Sequence, residues 1–248
     1  VFQIIATIFL FVNTVSIAQQ SGISEKESFG NRLPIVADCS NSIQSVKSVS
    51  IVLPKNAGLA MKNLVSIISV RIEERCGAKI IFNGKADLKI KLMIKSGIGI
   101  EGFTITNDQN GVQITGNDQR GVLYGVGKFL RTSTYFKNGF SPSKWVGTSI
   151  PEKSVRGIYI ATHFYNFYQN APINEVKRYI EDIALWGVNT IMVWYDMHHF
   201  KGFYDPEAIL FRNRLKQFSI VSRKLDVGFG FTVVGNEGYA NSPVNLQA

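Results

Sequence analysis

The chain reads as an α/β protein in which a small α+β region precedes a βαβαβ run. Three observations predict this. Segment 86–95 (ADLKIKLMIK) sets Leu88, Ile90, Leu92 and Ile94 alternately with polar residues, the period of a strand with one buried face. Segments 155–162, 189–197 and 228–235 are instead almost continuously apolar, as parallel strands covered on both faces must be. The stretches between them, 175–186 and 206–225, carry apolar residues at helical spacing.

The elements follow in order. Residues 47–54 alternate apolar and polar and stop at Pro54, a strand. Residues 57–75 place Leu59, Leu64, Ile67, Ile68 and Ile72 near one face of a helix ended by Gly77. Residues 79–83 make a short strand. Segments 101–108 and 111–118 are two more, joined by the turn residues Asp108, Gln109, Asn110 and Gly111. Asp118 then caps a helix whose apolar face is Val122, Leu123, Val126, Phe129 and Leu130. Gly125 and Gly127 fall inside that helix. They are therefore no phosphate-cradling loop, and serve close contact between backbone layers. Residues 133–154 read as a Ser-, Gly-, Thr- and Pro-rich linker with Pro142, Trp145 and Pro151. Beyond it, Asn174 is the expected cap of the next helix, which ends at Gly187. Asp205 with Pro206 opens the last one.

The chain has 248 residues, 45% of them hydrophobic and 18% charged, a globular composition with material for real cores. Its first residues hold an apolar run centred on Ile4 to Val12. This is shorter than the roughly 20 residues that span a bilayer. It reaches the small-x-small site Ser16-Ile17-Ala18. We read residues 1–18 as a signal peptide, hence a secreted or periplasmic protein with no membrane contact after cleavage. Residues 19–46 follow as a polar tail. Export permits a disulfide, and Cys39 and Cys76 either pair or stay as two buried thiols. The net charge is +9, but the basic residues are scattered and form no cluster interleaved with aromatics, which argues against nucleic acid as a partner.

Two architectures could use the βαβαβ run. A dinucleotide-binding sheet would show Gly-x-Gly-x-x-Gly after its first strand. This chain instead has ATHFYNFYQNAP, without a glycine, so no nucleotide cofactor is expected. The loops after the three strands are aromatic and polar. They bring Phe164, Tyr165, Phe167 and Tyr168, then Tyr195, Asp196, His198 and His199, then Asn236, Glu237, Tyr239 and Asn241. Such loops form the active-site face of a (β/α)8 TIM barrel. Aromatic rings beside amides and carboxylates suit sugars. A barrel takes about 250 residues. The expectation is therefore an incomplete one, about three βα units over residues 155–248. Asp-x-His-His at 196–199 offers one chelating pair, too little to predict a metal.

The junction EGFTITNDQNGVQITGNDQRGVLYGVGKFLR, the following linker and IPEKSVRGIYI together resemble family 20 glycoside hydrolases and relatives in families 67 and 84. The resemblance runs from about Lys47 to Gly238. It implies a small zincin-like α+β domain (47–132) ahead of a TIM-barrel catalytic domain, and a carbohydrate substrate. Arg156 and Gly157 match the Arg-Gly that opens the family's barrel, so the resemblance implies a sugar contact for Arg156. Ala161, Thr162 and His163 stand where the family has an Asp and an Arg-His pair. GNEGYANS lacks the family's Gly-His, with Glu237 as the equivalent carboxylate. The family's catalytic Asp-Glu pair follows a fourth strand, so the general acid is expected beyond Ala248 and the chain alone should be inactive. The candidate substrate-binding residues are Arg156, Tyr165, Asp196, His198, Asn236 and Glu237. The parent activity is expected to be β-N-acetylhexosaminidase-like, with an α-glucuronidase-like hydrolase or a non-catalytic carbohydrate-binding protein as alternatives.

Overall fold

The computed structural model describes residues 45–82, 84–108, 111–162, 165–233 and 237–246. The signal-peptide reading, most of the polar tail, Cys39, His163, Phe164 and Asn236 lie outside the described residues. Cys76 is a buried free thiol whose Sγ contacts the Ile72 carbonyl at 3.2 Å.

The first half builds a six-stranded mixed sheet from β1 (Ser48–Val52), β2 (Lys79–Ile80), β3 (Leu88–Ile94), β4 (Phe103–Asp108), β5 (Gly111–Gly116) and β8 (Gly147–Ser149), in the order β2-β1-β3-β5-β4-β8. β2, β1, β3 and β5 run parallel to one another, and β4 is antiparallel to both β5 and β8. The alternation in β3 does what it predicted: Leu88, Ile90 and Leu92 are buried and Lys89 and Lys91 exposed. Helix α1 (Leu59–Cys76) lies against this sheet and ends at Gly77, whose φ of 68° allows the left-handed cap and an N–H bond to the Glu73 carbonyl.

Helix α2 (Gln119–Thr132) begins where its cap was expected, with the Asp118 carboxylate accepting from the Gly121 N–H at 2.9 Å. It is buried nearly all round because it packs on two sides. A β-carbon at Gly125 would meet the Ile114 side chain of the sheet at 2.5 Å, and one at Gly127 would sit 1.8 Å from the Leu185 carbonyl oxygen of a later helix. Glycine is required at Gly127 by proximity of backbone and at Gly125 by the packed Ile114 and Phe103 side chains.

Residues 133–154, expected as a bare linker, hold structure. β6 (Thr134–Phe136) and β7 (Gly139–Ser141) form a hairpin, and β8 adds to the free side of β4. The reason is that β4 would otherwise leave an edge of unpaired amides. Trp145 secures the segment against Phe103, with Lys128 Nζ 5.0 Å from its ring centre.

The second half is a three-stranded parallel sheet, β9 (Gly157–Ile160), β10 (Thr190–Trp194) and β11 (Gly228–Thr232), in the order β11-β10-β9. After the short α3 (Phe167–Asn170), helices α4 (Ile173–Leu185) and α5 (Pro206–Lys224) connect the strands. Ile160, Ile191 and Val193 are buried, whereas Tyr159 and Phe231 are about half exposed. Asn174 is not the cap of α4. The helix starts at Ile173 because Pro172 occupies the N-cap and its carbonyl already accepts from Glu175 and Val176. Asp205 does cap α5, accepting from Glu207 N–H, with Pro206 at the first helical position.

The two halves meet along α1, α2 and α4. Arg71 of α1, 3% exposed at its side chain, pairs with Glu181 at 3.0 Å and Asp182 at 2.9 Å on α4, and Arg178 of α4 pairs with Glu74 of α1. Among the described residues no helix is long and apolar enough to cross a membrane.

Candidate functional site

Parallel strands present their C-terminal ends as a crevice, and ligands of open α/β sheets bind there. The loop after β10 enters it directly. Tyr195 turns back into the core, stacked 5.7 Å from Phe200 and 6.1 Å from Phe211 of α5. These two anchors force residues 197–199 into a single 3-10 turn. In that turn His198 and His199 diverge. His198 faces the loop after β11, and His199 lies edge-on to the Tyr165 ring at 5.8 Å.

The loop after β11 is tied to the same turn by its backbone. Ala240 N–H donates to Phe200 O at 2.9 Å and Asn241 N–H to Lys201 O at 3.1 Å. Tyr239 Oη lies 3.2 Å from Tyr195 Oη, which also accepts from Arg212. Burial, with Tyr195 as its hydrogen-bonded neighbour, pushes the Tyr239 phenol up to about 12. This web fixes Glu237 against the turn.

The result is a compact polar cluster. His198 Nδ1 is 2.9 Å from Asp196 Oδ1 and 2.9 Å from Glu237 Oε1. The Glu237 side chain is only 6% exposed, that of Asp196 17%, while His198 is 67% exposed and forms the outer wall. Asp196 Oδ1 is shielded from solvent and, despite the nearby imidazole, has no hydrogen bond of acceptable geometry. Burial raises the Asp196 carboxyl above its ordinary range. The hydrogen bond and like charge of Glu237 push the same way and outweigh the two imidazoles. One ligand atom from each of Asp196, His198 and Glu237 falls within 4.8 Å of the others, close enough to grip one small group.

Tyr165 stands at the rim. Its φ of 53° is left-handed, held by a Gln169 Oε1 acceptor on its N–H at 2.9 Å and an Asn170 Nδ2 donor on its carbonyl at 2.5 Å. Its side chain nevertheless stays exposed. An aromatic ring that is fixed and wet is available for stacking.

Arg156 is not brought to this cluster. It precedes β9 and lies beside Asn189, at the N-terminal ends of the strands. The five residues of β10, about 16 Å at 3.3 Å per residue, separate that end from Asp196. There Arg156 pairs with Glu101, contacts Tyr124 Oη at 3.1 Å and donates to the Gly187 carbonyl at 2.7 Å. Arg156 lies just ahead of β9, and its partners Gly187 and Glu101 hold its side chain at the base of the sheet. Of the sequence candidates, the structure unites Asp196, His198 and Glu237, sets Tyr165 beside them through His199, and leaves Arg156 apart.

Sequence reasoning missed Glu101 altogether. It is buried, sits at φ 57°, and accepts from Arg156, Arg120 and Asn189. The glycine-rich turn GIGIEGF was the only local sign of unusual backbone.

Comparison with known proteins adds fold likeness. No family model and no curated protein matches the chain. Solved structures do. They include the family 20 β-N-acetylhexosaminidase from Streptomyces coelicolor A3(2), with TM-score 0.56 and 13% identity over 75% of this chain and 42% of that one. The Flavobacterium johnsoniae chitobiase matches with TM-score 0.54 and 16% identity over 80% and 33%. A family 115 4-O-methyl-α-glucuronidase matches with TM-score 0.54 and 12% identity over 76% and 29%. The fold likeness is to glycoside hydrolases. The chain spans less than half the length of each of these structures.

Proposed function

We propose that the chain is the N-terminal part of an exported glycoside hydrolase. In this reading the six-stranded sheet is a zincin-like accessory domain and β9 to β11 open a TIM barrel whose catalytic carboxylates lie beyond Ala248. The observation that carries it is the meeting of Asp196, His198 and Glu237 at the C-terminal ends of parallel strands, in a fold similar to glycoside hydrolases. Carboxylates and an imidazole hydrogen-bond sugar hydroxyls in both donor and acceptor sense. Tyr165 offers the flat apolar surface that a pyranose C–H face stacks on, and Asn236 is the sequence neighbour of Glu237. The preferred activity is β-N-acetylhexosaminidase-like, and an α-glucuronidase-like hydrolase is the second reading because a family 115 enzyme shares the fold. The test is turnover of aryl glycosides by the full-length parent and by its E237Q variant. A fall in kcat/KM of roughly 10- to 100-fold, the loss expected for a buried charged hydrogen-bonding partner, supports the reading. Unchanged turnover by E237Q removes the site from the reaction.

A further inference from the structure

We infer that the Asp196–Glu237 pair makes this site a charge filter, one that accepts a ring bearing hydroxyl or amino groups and rejects a ring bearing a carboxylate. The inference rests on the sugar-site reading above and sharpens it, since a basic chain with net charge +9 would by itself favour acidic glycans.

The local charges oppose the global one. Two carboxylate side chains, 6% and 17% exposed, share one small volume. The basic side chains that bear on Asp196 are imidazoles, His198 in contact and His199 further away. Arg212, the arginine of this region, is committed elsewhere. It donates to Tyr195 Oη at 3.1 Å and to Phe203 O at 2.6 Å, and its guanidinium lies 4.0 Å from the Phe203 ring centre. Sites that recognise carboxylates present a guanidinium fork or an ammonium group. Here the groups offered to a ligand are the opposite. A uronate seated against His198 would bring a third carboxylate beside two that already disfavour each other. A hydroxyl could donate to the carboxylate pair, and an ammonium would in addition neutralise it.

The test compares methyl glycosides of glucose, glucosamine and glucuronic acid by ligand-observed NMR titration of the whole chain at neutral pH and low salt. The expected result is binding of the neutral and amino sugars at least about tenfold tighter than the uronate, the effect of one uncompensated charge contact worth roughly 1.4 kcal/mol. In D196N, and separately in E237Q, the uronate should gain affinity and glucosamine should lose it. Two variants are used so that one failing to fold, judged by circular dichroism, leaves the other to decide. Uronate binding as tight as that of the neutral sugar, or unmoved by either substitution, overturns the filter alone. Absence of binding by all three sugars overturns the sugar-site reading, and the filter with it.

Discussion

Arg156 and Glu101 form an ion pair across 55 residues of sequence, joining the start of β9 to the turn before β4. Arg120 enters the same carboxylate at 2.7 Å and Asn189, 3% exposed, donates to both of its oxygens. One buried glutamate thus gathers donors from α2, β9 and the entry to β10.

Truncating Glu101 strands two guanidinium groups. E101A should cost about 2–3 kcal/mol, at or just below the roughly 3–5 kcal/mol for breaking a fully buried pair, because Arg156 and Arg120 keep some solvent. Glu101 also occupies φ 57°, where a β-carbon is strained. E101G should therefore lose about 1 kcal/mol less than E101A. Denaturant titration of both variants checks the order.

Acid should find the same residue. Burial opposes ionisation of Glu101, but the hydrogen bonds from Arg156, Arg120 and Asn189 prevail and hold its carboxyl below the usual glutamate range. A carboxyl lowered in the folded state contributes stability above its unfolded value and loses it as pH falls through the folded one. The gap in melting temperature between the wild type and E101Q should therefore shrink on acidification. A gap that stays constant to acid pH would show that the carboxylate charge does not contribute.

Asp196 carries the opposite sign. Its carboxyl is raised by burial and by Glu237, so its ionisation disfavours the folded state at neutral pH. D196N should melt higher than the wild type at neutral pH, and the advantage should vanish as pH falls and Asp196 takes up its proton. Thermal scans across pH test the sign directly, independently of any ligand.

Gly127 sets helix propensity against packing. Alanine in a helix interior is favoured over glycine by about 1 kcal/mol. A β-carbon at Gly127 would stand 1.8 Å from a backbone carbonyl oxygen, which cannot rotate away. The clash should win, with G127A destabilised by roughly 3 kcal/mol, or about 6–12 °C in a chain of this size. Differential scanning calorimetry measures it.

The lysine alternation in β3, the Asp118 and Asp205 caps and the Gly77 stop were all legible, because each is decided within a few residues. The same local rules placed Asp196, His198 and Glu237 past strand ends. That they meet required the fold, since His198 and Glu237 lie 39 residues apart and are joined by β11 pairing with β10. The direction of Arg156 was not legible, because its partner Glu101 is 55 residues away in sequence and in a conformation no propensity favours. Residues 133–154 looked like a linker because β8 owes its existence to the free edge of β4 rather than to its own sequence.

Helix α2 touches the mixed sheet through Gly125 and α4 through Gly127, and so belongs to both hydrophobic interiors at once. A wall shared by two rooms cannot be removed from one alone. Loss of either sheet exposes the other face of the same helix, so the described region should melt in a single cooperative transition, with calorimetric and van't Hoff enthalpies equal.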